Sequence, residues 1–385
     1  MVAGSFTYFD ANATTPVDPR VAQAMLAALT GLPGNPSSDH TFGREARRAV
    51  DMARRDVAAL LGAKRTDEVV FTSGGSESNV AAIRAALAAR RGRREVVTST
   101  VEHAATNATL DRLEAMDGIT VRRIPVDSQG RLDLDAYRAA LGPRTALVTL
   151  MTANNETGTL FSIAGLVPAA HAAGALFHTD AVQAAGRLDL SIAIAGVDMA
   201  SISAHKLHGP KGVGALYVRH GTTFSSLITG GAQERGRRAG TENVPAIVGF
   251  GMASRLALSD NAGGNIARLR DRLEAEIVAT LPGTLILGNR EARLANTTCL
   301  AFPGSDAEMM LHRLDRAGIM ASSGSACSAG GTTPSRVLLA MGLRHLAGSV
   351  IRFSLSRFNT DTDVDRLMEV LPSIAREARV METVV

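Results

Sequence analysis

Residues 197–218 read VDMASISAHKLHGPKGVGALYV. A strand-like apolar run through Met199 and Ile202 breaks into Ser203, Ala204, His205 and Lys206. Gly209, Pro210, Lys211 and Gly212 then give a turn signal, and a second apolar run, GALYV, follows. The spacing predicts two strands joined by a reversal, with a lysine delivered at the end of the first. Such a lysine has two readings. It is a solvated residue in a hairpin turn, or a partly desolvated amine whose lowered pKa makes it a nucleophile able to form a Schiff base.

The same strand-then-polar pattern recurs upstream. Val69–Phe71 is a predicted strand, Gly74 and Gly75 a tight turn, and Ser76 the cap of a helix reaching Leu87, with Glu77 and Ser78 in its first turn. Free N–H groups at such a helix start form an anion cup. The run lacks the Gly-Lys-Ser/Thr ending of a P-loop, and the same residues suit an ordinary strand-to-helix turn. Glu95–Thr98 leads to Val101, Glu102 and His103; Ala146–Met151 to Asn154, Asn155 and Glu156; Ala175–His178 to Asp180 and Gln183.

Strands alternating with helices imply an α/β fold, a mostly parallel sheet covered on both faces. Ligands of such sheets sit at the carboxyl ends of the strands. Gly75, Ser76, His103, Asn155, Asp180, Gln183, Ser203, His205 and Lys206 are therefore expected along one edge. A lone His103 would be read as a satisfied structural histidine; a ring of polar strand-end residues points to a site.

Upstream of these, Thr7–Phe9 reads as a short strand before a polar turn, and Val21–Leu29 and Arg44–Leu61 as helices around a loop at Gly34–Ser38. After Val218 the pattern changes to a Gly- and Arg-rich segment, then a helix from near Pro245. Asn261–Asn265 reads as the joint to a smaller α+β unit. That unit has predicted helices at Ala267–Thr280, Ala307–Arg316 and Val364–Arg379, and strands at Leu285–Leu287, Thr297–Phe302 and Ile351–Leu355.

The 385 residues, 45% of them hydrophobic, suffice for a large domain with a small companion. Charges are dispersed and the formal net charge is +4. Arg90, Arg91, Arg93 and Arg94 read as a solvated helix end, with no aromatics interleaved to suggest direct nucleic-acid binding. No basic stretch precedes an apolar one at the N-terminus, and no run approaches the ~20 residues of a membrane helix. Two cysteines, Cys299 and Cys327, cannot build a disulfide framework or a four-thiolate zinc site. A cytoplasmic setting is expected, with no membrane association and no metal. Cys299, in NTTCLAF, reads as buried and inert. Cys327, in ASSGSACSAGGTTPSRV, lies among small residues in a loop; it is an incidental surface thiol or, near Arg336 and a helix starting at Pro334, a reactive one.

Taken together, DANATTPVDPRV, GNPSS, FTSGGSESN, VEH, NNETG, HTDAVQAAG, SAHKLHGPKGVGALYV, ERGRRAGTEN, SSGSAC and IRFSLSRF span nearly the whole chain. In these motifs it resembles the cysteine desulfurases of the class V aminotransferase family, fold-type I enzymes dependent on pyridoxal 5'-phosphate. The resemblance is to the nitrogen-fixation type and its housekeeping relative. It implies a large cofactor-binding domain over 15–260, and a small domain over 1–14 and 261–385 that carries the catalytic cysteine loop. Lys206 would hold the cofactor as a Schiff base and move the substrate α-proton. Asp180 would pair with the pyridinium nitrogen, His103 would stack on the ring and transfer a proton at the substrate thiol, and Gln183 would reach the phenolic oxygen. Gly75, Ser76, Ser203 and His205 would hold the phosphate, with Thr241 of a homodimer partner completing the cup. Asn155 would fix ring and substrate, and Arg352 would clamp the substrate carboxylate.

The implied reaction takes sulfur from L-cysteine onto Cys327 as a persulfide, releases L-alanine, and passes the sulfur to an acceptor protein. Iron–sulfur cluster assembly, tRNA thiolation and DNA sulfur modification all draw on such enzymes. The rivals are a selenocysteine lyase or another class V lyase or aminotransferase, and a non-catalytic paralogue, which would be expected to lose Lys206 or Cys327. The chain departs from the family pattern at Ala11, where the nitrogen-fixation type has Asn, and after Cys327, where SAGGTTPSRV replaces a Leu-Glu-like pair before the proline. It stops at Val385, short of the tail by which housekeeping relatives help dock the iron–sulfur scaffold, so the acceptor is left open.

Overall fold

The computed structural model describes residues 6–260, 263–323 and 334–379. The chain enters through β1 (Thr7–Tyr8), α1 (Pro19–Gly31) and α2 (Thr41–Leu61). Strands and helices then alternate: β2 (Val69–Thr72), α3 (Gly75–Ala89), β3 (Glu95–Ser99), α4 (Ala104–Asp117), β4 (Thr120–Ile124), α5 (Leu134–Ala140), β5 (Thr145–Met151), α6 (Ile163–Ala172), β6 (Leu176–Asp180), α7 (Leu190–Ala193) and β7 (Met199–Ser203). β8 (Gly214–Val218) returns against β7, and α8 (Val244–Ser259) lies across the sheet.

These strands form one seven-stranded sheet in the order β2-β8-β7-β6-β5-β3-β4. Only β8 runs against its neighbours; the pairs from β7 across to β4 are parallel. β5, β6 and β7 are buried along their whole length because helices cover both faces. The period of two is visible in β2, where Val69 and Phe71 enter one core with Val57, Phe177 and Phe250 while Val70 enters the other with Ile83, Leu110 and Leu216. β4, TVRRI, was not foreseen as a strand. It is the sheet edge, and its exposed Thr120 and Arg122 interrupt the apolar run that marks the inner strands.

The remainder builds a second unit: α9 (Gly263–Thr280), β9 (Leu285–Leu287), β10 (Thr297–Ala301), α10 (Ala307–Arg316), β11 (Ile319–Met320), β12 (Ser322–Ser323), α11 (Arg336–Ala340), β13 (Val350–Ser354) and α12 (Asp361–Glu377). Its sheet is antiparallel, β12-β13-β10-β9, under a core of Leu273, Leu300, Met310, Ile351, Phe353 and Leu367. β1 pairs in parallel with β11, and Phe9 is fully buried edge-on against Phe353, ring centroids 6.1 Å apart. Burying a phenylalanine contributes about 1.5–3 kcal/mol, enough to tie the first strand to the last unit.

Several boundaries shift. α1 starts at Pro19 because Asp18 caps it, accepting from Arg20 N–H, and α2 starts at Thr41 under the His40 cap. α9 begins at Gly263, inside the expected joint. α12 begins at Asp361 on a Thr360–Asp363 capping box and ends at Glu377.

Candidate functional site

Lys206 closes a short turn, Ala204–Lys206, that continues β7. The turn is tight because Ala204 O accepts from both Leu207 and Gly209 N–H, and a Cβ on Gly209 would come within 2.8 Å of that oxygen. Lys206 Nζ donates to the carbonyls of Asn12 (2.5 Å) and Ala13 (2.7 Å). The segment leaving β1 thus passes beside the lysine. Lys206 is half-buried and lines a cavity, as the second of its two readings expects.

That cavity, about 330 Å³, is lined by Gly75, Ser76, His103, Asn155, Asp180, Gln183, Ser203, His205, Lys206 and Arg352. Every strand-end residue singled out in the sequence is there, because parallel strands present their carboxyl ends to the same edge. The glycine turn between β2 and α3 supplies one wall. Gly74, not Ser76, occupies the cap position, with φ +155°, and Ser76 lies inside the first turn. Glu77 folds back to accept from Ser73 N–H at 2.8 Å and is held by Arg238 at 3.0 Å. The leading N–H groups of α3 have no acceptor within the helix, so this wall attracts anions. β8 packs tightly behind it: a Cβ on Gly214 would lie 2.7 Å from Gly74 backbone.

Asp180 ends β6 in a buried position, its Oδ2 accepting from Asn79 Nδ2 (2.7 Å) and its Oδ1 from Val182 N–H (3.0 Å). His103 caps α4, its Nδ1 accepting from Ala105 N–H at 3.1 Å. That bond places the neutral ring's proton on Nε2. Gln183 donates from Nε2 to Asn12 O at 2.9 Å. His205 faces Thr14 Oγ1 at 3.1 Å, and burial, then the neighbouring Lys206, push its pKa down to about 4, so it is a neutral ring at pH 7.

The second unit contributes Arg352, from the middle of β13. Its buried guanidinium donates to Asn155 O (3.0 Å) and to Asp10 Oδ1 (2.6 Å). Behind the cavity wall Glu102 accepts from Ser99 Oγ (2.6 Å) and Met151 N–H (3.1 Å); burial pushes its pKa up to about 8 and keeps it protonated.

Thr241 does not line the cavity and is exposed on this chain's surface. Cys327 lies outside the described residues. Cys299 is buried in β10, its thiol pushed up to about 12 by burial, as an inert cysteine should be. Pro334 does precede a helix: Ser335 caps α11 and donates to Glu156 at 2.5 Å. Sequence reasoning passed over Asp10, Asn12, Asn79 and Arg187. Asn79 carried a signal, since it lies three residues beyond Ser76 on α3 and so on the same helix face.

A buried carboxylate, a helix N-terminus and an amine around one cavity match the three ends of a phosphorylated aromatic aldehyde: its ring nitrogen, its phosphate and its carbonyl. Residues 7–367 match the aminotransferase class-V family, and the chain belongs to it. It is 55% identical to a cysteine desulfurase of Cereibacter sphaeroides over 375 residues, 97% of each chain. Among solved structures, a NifS-like protein superposes with a TM-score of 0.90 at 36% identity, covering 97% of this chain and all of that one. A structure described as SspA in complex with cysteine gives 0.80 at 33% identity, covering 92% of this chain and all of that one. The chain is a cysteine desulfurase dependent on pyridoxal 5'-phosphate.

Proposed function

We propose that the cavity takes pyridoxal 5'-phosphate and L-cysteine, and that sulfur leaves on Cys327. What carries the reading is convergence: polar ends of five strands and one arginine of the second unit meet around Lys206. When bound, the cofactor supplies an electron sink for the bonds that break next to the substrate α-carbon.

The chain's own residues do the rest. Lys206 holds the cofactor and moves the α-proton, its amine steered by the Asn12 and Ala13 carbonyls. Asp180, fixed by Asn79 and Val182, keeps the ring nitrogen protonated. Gly75, Ser76, Ser203 and His205 receive the phosphate, the neutral His205 as a hydrogen-bonding group. Gln183 faces the phenolic oxygen. His103 covers the ring and, with its proton on Nε2, acts as a donor toward the substrate. Asn155 orients the substrate, and Arg352 clamps its carboxylate without leaving Asp10.

The C–S bond of L-cysteine breaks, an S–S bond forms at Cys327, and the thiol hydrogen replaces sulfur on carbon to give L-alanine. The persulfide then transfers to an acceptor protein of iron–sulfur assembly or of thiolation. We place the reaction in a cytoplasmic homodimer, in which the exposed Thr241 completes the partner's phosphate site. We assign residues 15–260 to the large domain, and 1–14 with 261–385 to the small domain bearing Cys327. No helix among the described residues is long and apolar enough to cross a membrane.

Intact mass after brief exposure to L-cysteine without reductant tests the reading. The wild type should gain one sulfur atom and release alanine, and Cys327→Ser should gain none. A wild type that binds the cofactor but stays unmodified would overturn the sulfur step.

A further inference from the structure

Arg187 takes no part in the roles above, yet it lies against one of them. Its Nη1 donates to Gln183 O at 3.0 Å and to Gln183 Oε1, and its Nη2 to Ala11 O at 3.2 Å. All three acceptors are neutral oxygens, and among the described residues no carboxylate pairs with it. Burial and the charge of Arg352 push its pKa down to about 10, still well above neutrality, so the guanidinium is charged. A partly buried cation with no counter-ion is unfavourable unless it faces a negative group supplied from elsewhere.

The contact with Gln183 also has a direction. The two ends of a primary amide are nearly equal in size, and only its partners decide which way it faces. A guanidinium has donors and no acceptor, so it can hold only the oxygen end. Gln183 Nε2 is thereby turned the other way, where Asn12 O accepts one of its two hydrogens at 2.9 Å. Gln183 lines the cavity with Lys206, whereas Arg187 approaches from a neighbouring cavity of about 580 Å³.

We propose that Arg187 is a positioning residue: it locks the Gln183 amide with its nitrogen toward the cofactor's phenolic oxygen, and its charge favours the oxyanion there. This rests on the reading that Gln183 faces that oxygen. A donor and a cation beside the oxyanion disfavour an added proton on the bound cofactor. The proton is therefore lost at lower pH than it would be otherwise. The other charged or titratable groups around the site are His103, Asp180, His205, Lys206 and Arg352 with its partner Asp10 on the cavity side, and Asp189, His208, Asp260 and Arg357 on the Arg187 side. All are retained in the variants below.

The test is a spectrophotometric pH titration of the bound cofactor's near-visible band in the holoenzyme, with thermal melting as a control. Arg187→Met should raise the midpoint by about one pH unit, and Arg187→Lys, which keeps the charge and loses the fork, by less. In a Gln183→Leu background, Arg187→Met should shift it less than it does alone, because both act at one oxygen. An unchanged midpoint in Arg187→Met overturns the proposal, whatever happens to its melting temperature. If Arg187→Met fails to fold, Arg187→Lys decides. A raised midpoint supports the proposal, and a wild-type midpoint makes the residue merely structural. A wild type with no near-visible band would sink the cofactor reading itself, a separate outcome.

Discussion

The two sheets bring charge to the site by different means. The large sheet delivers Asp180 and Lys206 at strand ends, where parallel strands open onto a common edge. The small antiparallel sheet has no such edge, since neighbouring strands end on opposite sides. Its contribution, Arg352, comes from the middle of β13, pairs in register with Cys299 and Ser322, and is anchored by Asp10, whose backbone bridges Ser354 at the end of the same strand. Topology positions the first set; an ion pair positions the second.

Substitutions probe that contrast, and the largest effect belongs to the strand-end set. Lys206→Ala should abolish the near-visible band and cut turnover by at least about 10²-fold through lost proton transfer alone. A band that persists and still responds to L-cysteine would take the lysine out of the site.

Next comes the acid behind the strand ends. Glu102 holds its proton to about pH 8 in the folded chain and to about 4.5 when unfolded. Between those values the native state binds a proton that the unfolded state has released. Stability therefore falls as pH rises from about 4.5 to 8 and then levels off. Glu102→Gln should flatten that decline, with a gain on the order of 5 kcal/mol at pH 8.5, read from urea unfolding at several pH values. An unchanged slope would mean the carboxyl is ionised as usual.

The anchored arginine should respond more gently. Asp10→Asn removes a charge-assisted bond of about 1.5–3 kcal/mol, so KM for L-cysteine should rise by roughly 10- to 100-fold with kcat little changed. A fall in kcat alone would move Arg352 from binding to chemistry. Smallest of all, Cys299→Ala should leave sulfur release intact and cost about 1 kcal/mol of stability, seen as a lower melting temperature.

The strand ends were legible in the sequence for the reason they are grouped in space. A strand buried on both faces reads as an unbroken apolar run, as in Thr145–Met151, and the polar residues that stop the run are those at the site. β4 escaped because the edge admits Arg122 and Arg123. The Ser76 cap expected for α3 falls two residues late because Gly74 holds the cap with no side-chain bond, and Glu77 instead reaches back to accept from Ser73 N–H ahead of the helix. Asp10 and Arg187 escaped for a different reason. Asp10 meets Arg352 across 342 positions and Arg187 meets Ala11 across 176, and no local spacing encodes such encounters. Recognising the motifs in DANATTP and HTDAVQAAG located these neighbourhoods without saying which atoms touch.

The seat of Lys206 has a consequence for the life of the chain on the ribosome. The Asn12 carbonyl that accepts from Lys206 is itself fixed by late residues: Asn12 donates to Ser354 Oγ and Thr297 Oγ1, and its side-chain oxygen accepts from Asn296. During synthesis the large sheet and its lysine emerge long before these anchors do. A nascent chain thus has the nucleophile before it has the support that aims it. The seat of Lys206 is complete only once residues 296–354 have been made and folded back onto Asn12.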